Sequence, residues 1–305
     1  MHIVFNINPK LFGGGGFHFI RSFSESASSL GHTIGYDLSK KPDTIILVGQ
    51  DAKANFQFDD VTKMKSKYDT KVILRINNLD THAKKGSISH YKKYSKLADS
   101  VVYMSDWASK YGKERYNLSF KKEYIIHNIP LSLFYSSVPE TWDHKSPLKI
   151  VTHHWSVNKY KGFNFYEKIG RSVAKSKELR KLFHFCYIGR SPKKITGFVM
   201  KPFLRGKKLI DKLSAQHAYL TASALEVGPN HVAEGLAIGL PVLYAPNGGA
   251  VSEYVGNCGF EINYEKPIPS LISMREQYDN YYKIVQSRKK EYDLSKLCSQ
   301  YLATL

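Results

Sequence analysis

The amino-acid sequence predicts an α/β fold built from two doubly wound parallel-sheet units. Three observations lead there. Short apolar runs alternate with longer helix-like stretches along the whole chain, the pattern of parallel strands joined by crossover helices. That alternation runs twice, on either side of a polar stretch carrying Pro139 and Pro147. A length of 305 residues gives each unit about 150, enough to bury a core of its own.

Taken in order, His2 to Ile7 reads as a strand, Gly13 to Gly16 as a tight loop, and Phe17 to Leu30 as a helix stopped at Gly31. Strands are expected at Thr44–Val48, Val72–Ile76, Ser100–Met104 and Tyr124–His127, with helices near 86–98 and 106–116. The first domain is expected to span 1–138, with Ser136 to Pro147 as the linker, and the second 139–290. In the second, strands are expected at 148–153, 183–188, 217–221, 241–245 and 258–262, and helices near 160–176, 206–215, 230–238 and 249–255. Beyond Pro269 the chain reads as helical, with Tyr278, Tyr281, Tyr282 and Val285 on one face at three-to-four spacing. No segment is of low complexity.

Composition narrows the function classes. The chain is 42% hydrophobic and has no apolar run of about 18 residues, so no spanning helix is expected. Lys10 and the glycines interrupt the start, which argues against a signal peptide. Cys186, Cys258 and Cys298 cannot all pair and lack metal-ligand spacing; a cytoplasmic location is expected. The net charge is +19, and residues 145–212 hold 18 Lys or Arg against 3 acidic residues. A solvated basic face accounts for this as it stands. The functional alternatives are steering of an anionic acceptor or peripheral contact with an anionic membrane; no nucleic-acid partner is expected.

The most informative segment runs from Glu226 to Val242. Pro229-Asn230 supplies a turn and a helix cap, and Val232, Ala233, Leu236 and Ala237 give the next helix an apolar face. Glu226 therefore precedes the helix, and Glu234 lies about one turn inside it. Backbone N–H groups at a helix start attract phosphate, and flanking carboxylates accept from hydroxyls. A sugar nucleotide needs that mixture.

At these residues the chain resembles retaining glycosyltransferases of family 4, whose signature is Glu, seven residues, Glu, then a Gly-Leu-Pro-Val-like strand entry, here Gly239-Leu240-Pro241-Val242. Tyr219-Leu220-Thr221-Ala222-Ser223 resembles the strand before that motif, and Gly248-Gly249-Ala250-Val251-Ser252-Glu253 the turn after it. Val151 to Ser156, continuing to Lys161-Gly162-Phe163, looks like the opening of the donor domain. The N-terminal glycine loop and Gly31-His32-Thr33-Ile34 complete the order. The resemblance implies a GT-B fold, two Rossmann-like domains facing across a cleft, with the last helix, 291–305, packing back on the N-terminal acceptor-side domain. It implies a metal-independent transferase that moves a hexose from a nucleoside-diphosphate sugar to a hydroxyl of a glycan or glycolipid. No cofactor or metal is expected, and the sequence holds no Asp-x-Asp pair for a cation.

Carried over residue by residue, Glu234 would hold the donor ribose and Glu226 the transferred sugar, stabilising positive charge at its anomeric carbon. Asn230, His231 and Val232 lie at the helix start facing sugar or phosphate. Gly14 and Gly15 would close over the donor phosphates; after Gly13 and Gly15 the dinucleotide fingerprint wants glycine where His18 stands, so a nicotinamide site is poorly supported. Lys161 would neutralise the departing diphosphate. The family's arginine five or six positions earlier is replaced by Ser156 and Trp155, leaving Ser156 or Arg190 to supply the second contact. Asn77 aligns with a family histidine on the acceptor side; an amide hydrogen-bonds but cannot act as a base. Asp80 and His82 are open alternatives there. His153 and His154 would point to opposite sides of a strand, which disfavours joint metal ligation. A GT-B epimerase or phosphorylase, or a degenerate glycan- or nucleotide-binding protein, are the rival readings.

Overall fold

The computed structural model describes residues 1–9, 14–48, 54–82 and 86–305. They form two compact units: Met1–Leu131 with Asp293–Leu305, and Ser132–Tyr292.

Among the described residues, the first unit holds a six-stranded parallel sheet, with strands β1 (His2–Phe5), β2 (Thr33–Gly35), β3 (Thr44–Val48), β4 (Lys71–Ile76), β5 (Ser100–Tyr103) and β6 (Glu123–Ile125). Their spatial order is β2-β1-β3-β4-β5-β6. β3 is buried along its whole length and β4 along all but its first residue, so both read as largely apolar runs, interrupted in β4 by the buried Arg75, as strands covered on both faces tend to. Helices α1 (Gly15–Ser29), α2 (Phe58–Tyr68), α3 (Ser87–Tyr94) and α4 (Asp106–Tyr116) connect them. α1 begins at Gly15, so Gly15 and Gly16 belong to a helix rather than to the expected loop, with Gly14 at the cap position. Gly13 lies outside the described residues.

The second unit contributes a four-residue helix α5 (Ser132–Tyr135), then β7 (Leu148–His154), α6 (Phe163–Lys175), α7 (Lys177–Leu182), β8 (Phe183–Gly189), β9 (Phe198–Lys201), α8 (Gly206–Ser214), β10 (Ala218–Thr221), α9 (Asn230–Ile238), β11 (Val242–Tyr244), α10 (Val251–Val255), β12 (Gly259–Glu261), α11 (Pro267–Glu276) and α12 (Tyr278–Lys289). The order β9-β8-β7-β10-β11-β12 is that of dinucleotide-binding sheets. On α12, Tyr278 is buried in the core of the second unit with Tyr281 and Tyr282 packed against that core, and Val285 is buried as well.

The division between units falls at Leu131 because the stretch that reads as a linker is packed onto the second unit. Trp142 is 4% exposed, donates from Nε1 to Ser146 O at 2.8 Å, lies edge-on to Tyr278 and carries the Arg275 guanidinium over its ring. Pro139 and Pro147 therefore lie in a docked segment. The last helix, α13 (Ser295–Leu302), belongs to the first unit, where Tyr301 sits 5.0 Å from the Phe19 ring and 5.6 Å from the Phe23 ring of α1.

Candidate functional site

In an open doubly wound sheet, ligands bind beyond the carboxyl ends of the strands where the order reverses. In the second unit that point lies between β7 and β10. β7 ends at His153 and His154, β10 ends at Thr221, and the chain then runs through Glu226 into α9.

Glu226 is 8% exposed, and its Oε1 accepts from Lys161 Nζ at 2.5 Å. These two candidates, 65 positions apart, are brought together by backbone contacts. Ala224 N donates to Tyr160 O at 2.8 Å, and Gly162, at φ +78°, lies so close to Ala222 that a Cβ there would stand 2.3 Å from its carbonyl oxygen. On the other side, Glu226 N donates to Gly248 O at 3.1 Å and Ala250 N to Glu226 O at 2.8 Å. Gly249, at φ +70°, would place a Cβ 2.5 Å from Glu226 O, so the Gly-Gly turn is what lets the two backbones meet. Leu225 is held at φ 53°, an uncommon conformation for a branched side chain, immediately before the carboxylate.

Glu234 is 5% exposed, and its Oε2 lies 2.7 Å from His153 Nε2. An ionised carboxylate only accepts, so the imidazole proton sits on Nε2 and donates to Glu234. His153 Nδ1 then accepts from the Tyr219 hydroxyl at 3.0 Å. Burial pushes the Tyr219 phenol well above its ordinary value, so it keeps the proton it donates. The result is a chain from Tyr219 through His153 to Glu234.

The two adjacent histidines part as expected. His154 Nε2 lies 2.8 Å from the Tyr166 hydroxyl, which also accepts from Ala222 N at 2.9 Å, and burial pushes that phenol up to about 12. His231, the second residue of α9, places Nε2 2.9 Å from Thr221 Oγ1, with its ring 5.0 Å from that of His154 and 6.4 Å from that of His153. Burial, more than the nearby Lys161 and His153, lowers its pKa to about 3, against the pull of Glu226 and Glu234. It is a neutral imidazole at any ordinary pH. Among the described residues no group of three or more His, Cys, Asp or Glu is placed to hold a metal ion.

A pH dependence of stability follows. Burial likewise lowers the pKa of His217 to about 4, where its Nδ1 accepts from Lys149 N. Below about 6.5 the unfolded chain binds protons that these folded imidazoles refuse, so stability present above that pH is lost as pH falls through their folded values. Asp143 and Glu167, each lowered to about 2 by hydrogen bonds, first from a backbone N–H (of Ser146 and Thr196) and then from side chains (Ser146 for Asp143, Arg171 and Thr196 for Glu167), add to the loss only below about pH 4. The thermal midpoint should drop between pH 7 and pH 4.5, and less so in His217→Asn. A flat profile over that range would contradict the buried neutral histidines.

The remaining candidates are placed as follows. Asn230, expected to cap α9, is instead its first residue; Pro229 takes the cap position, and no side chain caps the helix start. Pro229 O accepts from Val232 N and Ala233 N, both at 3.0 Å, so the proline carbonyl holds the first turn. Ser156 Oγ accepts from Asn158 N at 3.1 Å and keeps its own proton to donate. The exposed Arg190 stacks its guanidinium 4.4 Å over Trp155, one of the two positions where the arginine was expected.

Gly14, Gly15 and Asn77 belong to the first unit. There the first turn of α1 lies against Val48 and the Asn77 amide. Asn77 Oδ1 accepts from Arg75, whose guanidinium is fully buried, donates also to Tyr301 Oη at 2.9 Å and Asn128 Oδ1 at 2.5 Å, and lies 3.8 Å over the Phe19 ring. Asp80 accepts from Ser87 N at 3.0 Å at the start of α3, a loop role. Sequence reasoning missed Tyr219, Tyr166, Thr221 and Arg75 as supports, since no local pattern marks a residue that acts across a sheet.

No family model matches the chain, and no curated protein matches its sequence. Solved structures do. Over 100% of this chain and 98% of the other, it superimposes on WaaG, a glycosyltransferase involved in lipopolysaccharide biosynthesis, at TM-score 0.65 and 12% identity. The fold is GT-B. Sucrose-phosphate synthase from Thermosynechococcus elongatus is similar at TM-score 0.66 and 11% identity, with 99% of this chain and 97% of that one covered. The pneumococcal O-GlcNAc transferase GtfA, in complex with UDP and GlcNAc, is similar at TM-score 0.63 and 14% identity over 97% of this chain and 60% of that one. Among the described residues, no helix is long and apolar enough to cross a membrane.

Proposed function

We propose that this protein is a retaining glycosyltransferase that moves a hexose from a nucleoside-diphosphate sugar to a hydroxyl acceptor without a metal. The observation that carries the proposal is the pair of buried carboxylates, Glu226 and Glu234, framing an uncapped helix start at the point where the second sheet reverses its strand order. In this reading the N–H groups of Asn230 and His231 and the cation of Lys161 receive the diphosphate, while the Val232 N–H stays on Pro229 O, with Arg190 as the second cation. Glu234, oriented by His153, accepts from the ribose hydroxyls. Glu226 accepts from the transferred sugar and stabilises positive charge at its anomeric carbon. Neutral His231 offers a hydrogen bond without adding charge. In the first unit, Arg75 engages the Asn77 oxygen, which leaves the amide N–H groups as the polar contact for a substrate. The acceptor is proposed to be a glycan or glycolipid, and the basic residues of 145–212 to favour an anionic one or a peripheral membrane site.

A binder without turnover is the rival reading, motivated by Trp155 and Ser156 standing where the arginine is expected. A panel of uridine, guanosine and adenosine diphosphate sugars separates the two. A transferase releases nucleotide when an acceptor is present, and anomeric analysis of the product tests retention. A binder gains thermal stability and releases nothing. In the transferase, Glu234→Ala should raise the donor KM by about 10- to 100-fold, the loss of a charge-assisted hydrogen bond, with a smaller change in kcat. Unchanged donor kinetics would remove Glu234 from the donor site.

A further inference from the structure

We infer that the Lys161–Glu226 pair makes the pocket selective for an intact sugar nucleotide over the bare nucleoside diphosphate; this rests on the donor reading above. Both side chains are largely buried, 13% exposed for Lys161 and 11% for Glu226, and their 2.5 Å contact joins the residue assigned to the phosphates to the residue assigned to the sugar. The pair is held from both sides. The Ala224–Tyr160 hydrogen bond and the Gly162–Ala222 approach fix the lysine's backbone, and the Gly248-Gly249 turn fixes that of the glutamate. Ligand binding therefore has to exchange partners at the side-chain tips rather than move the chain.

That exchange is two-sided. A diphosphate offers oxygens to Lys161 but has no donor for Glu226, so taking the lysine leaves a buried carboxylate without its cation and beside charge of its own sign. A sugar nucleotide brings hydroxyl donors to Glu226 as its phosphates take Lys161, and each released group finds a new partner. A free sugar brings donors but no anion for Lys161. The two halves of the donor are thus coupled through one ion pair, and the carboxylate discriminates against ligands that lack either half.

Calorimetric titration of the full chain with UDP and UDP-glucose, GDP and GDP-mannose, and ADP and ADP-glucose tests this. For the nucleotide that binds, the wild-type protein should prefer the sugar form by about tenfold or more, the scale of one charge-assisted hydrogen bond. Glu226→Gln keeps the side-chain shape and should bind the bare diphosphate about tenfold more tightly than wild type, erasing the preference. Lys161→Gln, made as a second route, should bind both forms weakly and equally. A Glu226→Gln protein whose diphosphate affinity is unchanged or weaker would overturn the coupling while leaving the donor reading intact. No binding by any of the six ligands would defeat the donor reading, and the coupling with it.

Discussion

Glu226→Gln is expected to lower kcat by about 10²- to 10³-fold, the range found when one preorganised electrostatic contact to a transition state is removed. The size comes from the placement of the group. The Glu226 side chain is 11% exposed, its backbone is clamped between the Gly248-Gly249 turn and Ala250, and it follows a residue held at positive φ. A charge fixed in a site of low dielectric needs no reorganisation as positive charge builds at the anomeric carbon, and the amide that replaces it carries none. The donor KM should move much less, because Gln keeps the shape and one acceptor. Steady-state kinetics on the purified variant, with donor and acceptor each varied, measures both. Equal losses in kcat and in donor affinity would reduce Glu226 to a structural residue.

Gly162→Ala is expected to destabilise the chain by about 2 to 5 kcal/mol and to abolish turnover. Two costs add. An L-residue at left-handed φ loses about 1–2 kcal/mol, and a Cβ 2.3 Å from the Ala222 carbonyl oxygen forces the backbone apart, for about 1–3 kcal/mol more. The displaced segment is the one that aims Lys161 at Glu226, so the damage reaches the site even where the fold survives. For a chain of this size 3 kcal/mol corresponds to a fall of roughly 6 °C or more in the thermal midpoint. Circular dichroism melts and donor turnover on the same preparation check both halves. A variant with wild-type melting and activity would mean that the approach of residues 160–162 to Ala222 is looser than the structure shows.

Legibility in the sequence followed burial for most elements. β3 and β4 were readable because both faces are covered, which favours an apolar run, interrupted in β4 only by Lys71 at its start and the buried Arg75. β2 and β9, both edge strands, went unread: β2 buries no residue and β9 buries only Phe198, while β6, an equally exposed edge strand, was read from its short run at Tyr124–His127. α2 was also unread, since only Val61 is buried along it. A signal existed there all the same, in the reciprocal capping box between Gln57 and Asp60. The linker expectation at 136–147 failed on Trp142, whose side chain docks on the second unit although its neighbours are polar.

For the candidate site, spacing along one segment was enough to pick out Glu226 and Glu234, and glycine chemistry enough to mark the turns around them. It was not enough to show what holds them. His153 reaches Glu234 across 81 positions and Lys161 reaches Glu226 across 65, through strands whose order is not written in any local run of residues. What the sequence by itself determined is therefore the alternation of elements, the number of sheets and the positions of the two carboxylates, because each depends on periodicity and turn chemistry within about ten residues. The tertiary structure alone decided that Lys161 neutralises Glu226, that Glu234 sets the tautomer of His153 and Tyr219 donates to its other nitrogen, and that Arg75 rests on neutral acceptors and an aromatic face. Those outcomes depend on which strand ends become neighbours, and the parallel sheet joins them only after its crossovers have closed.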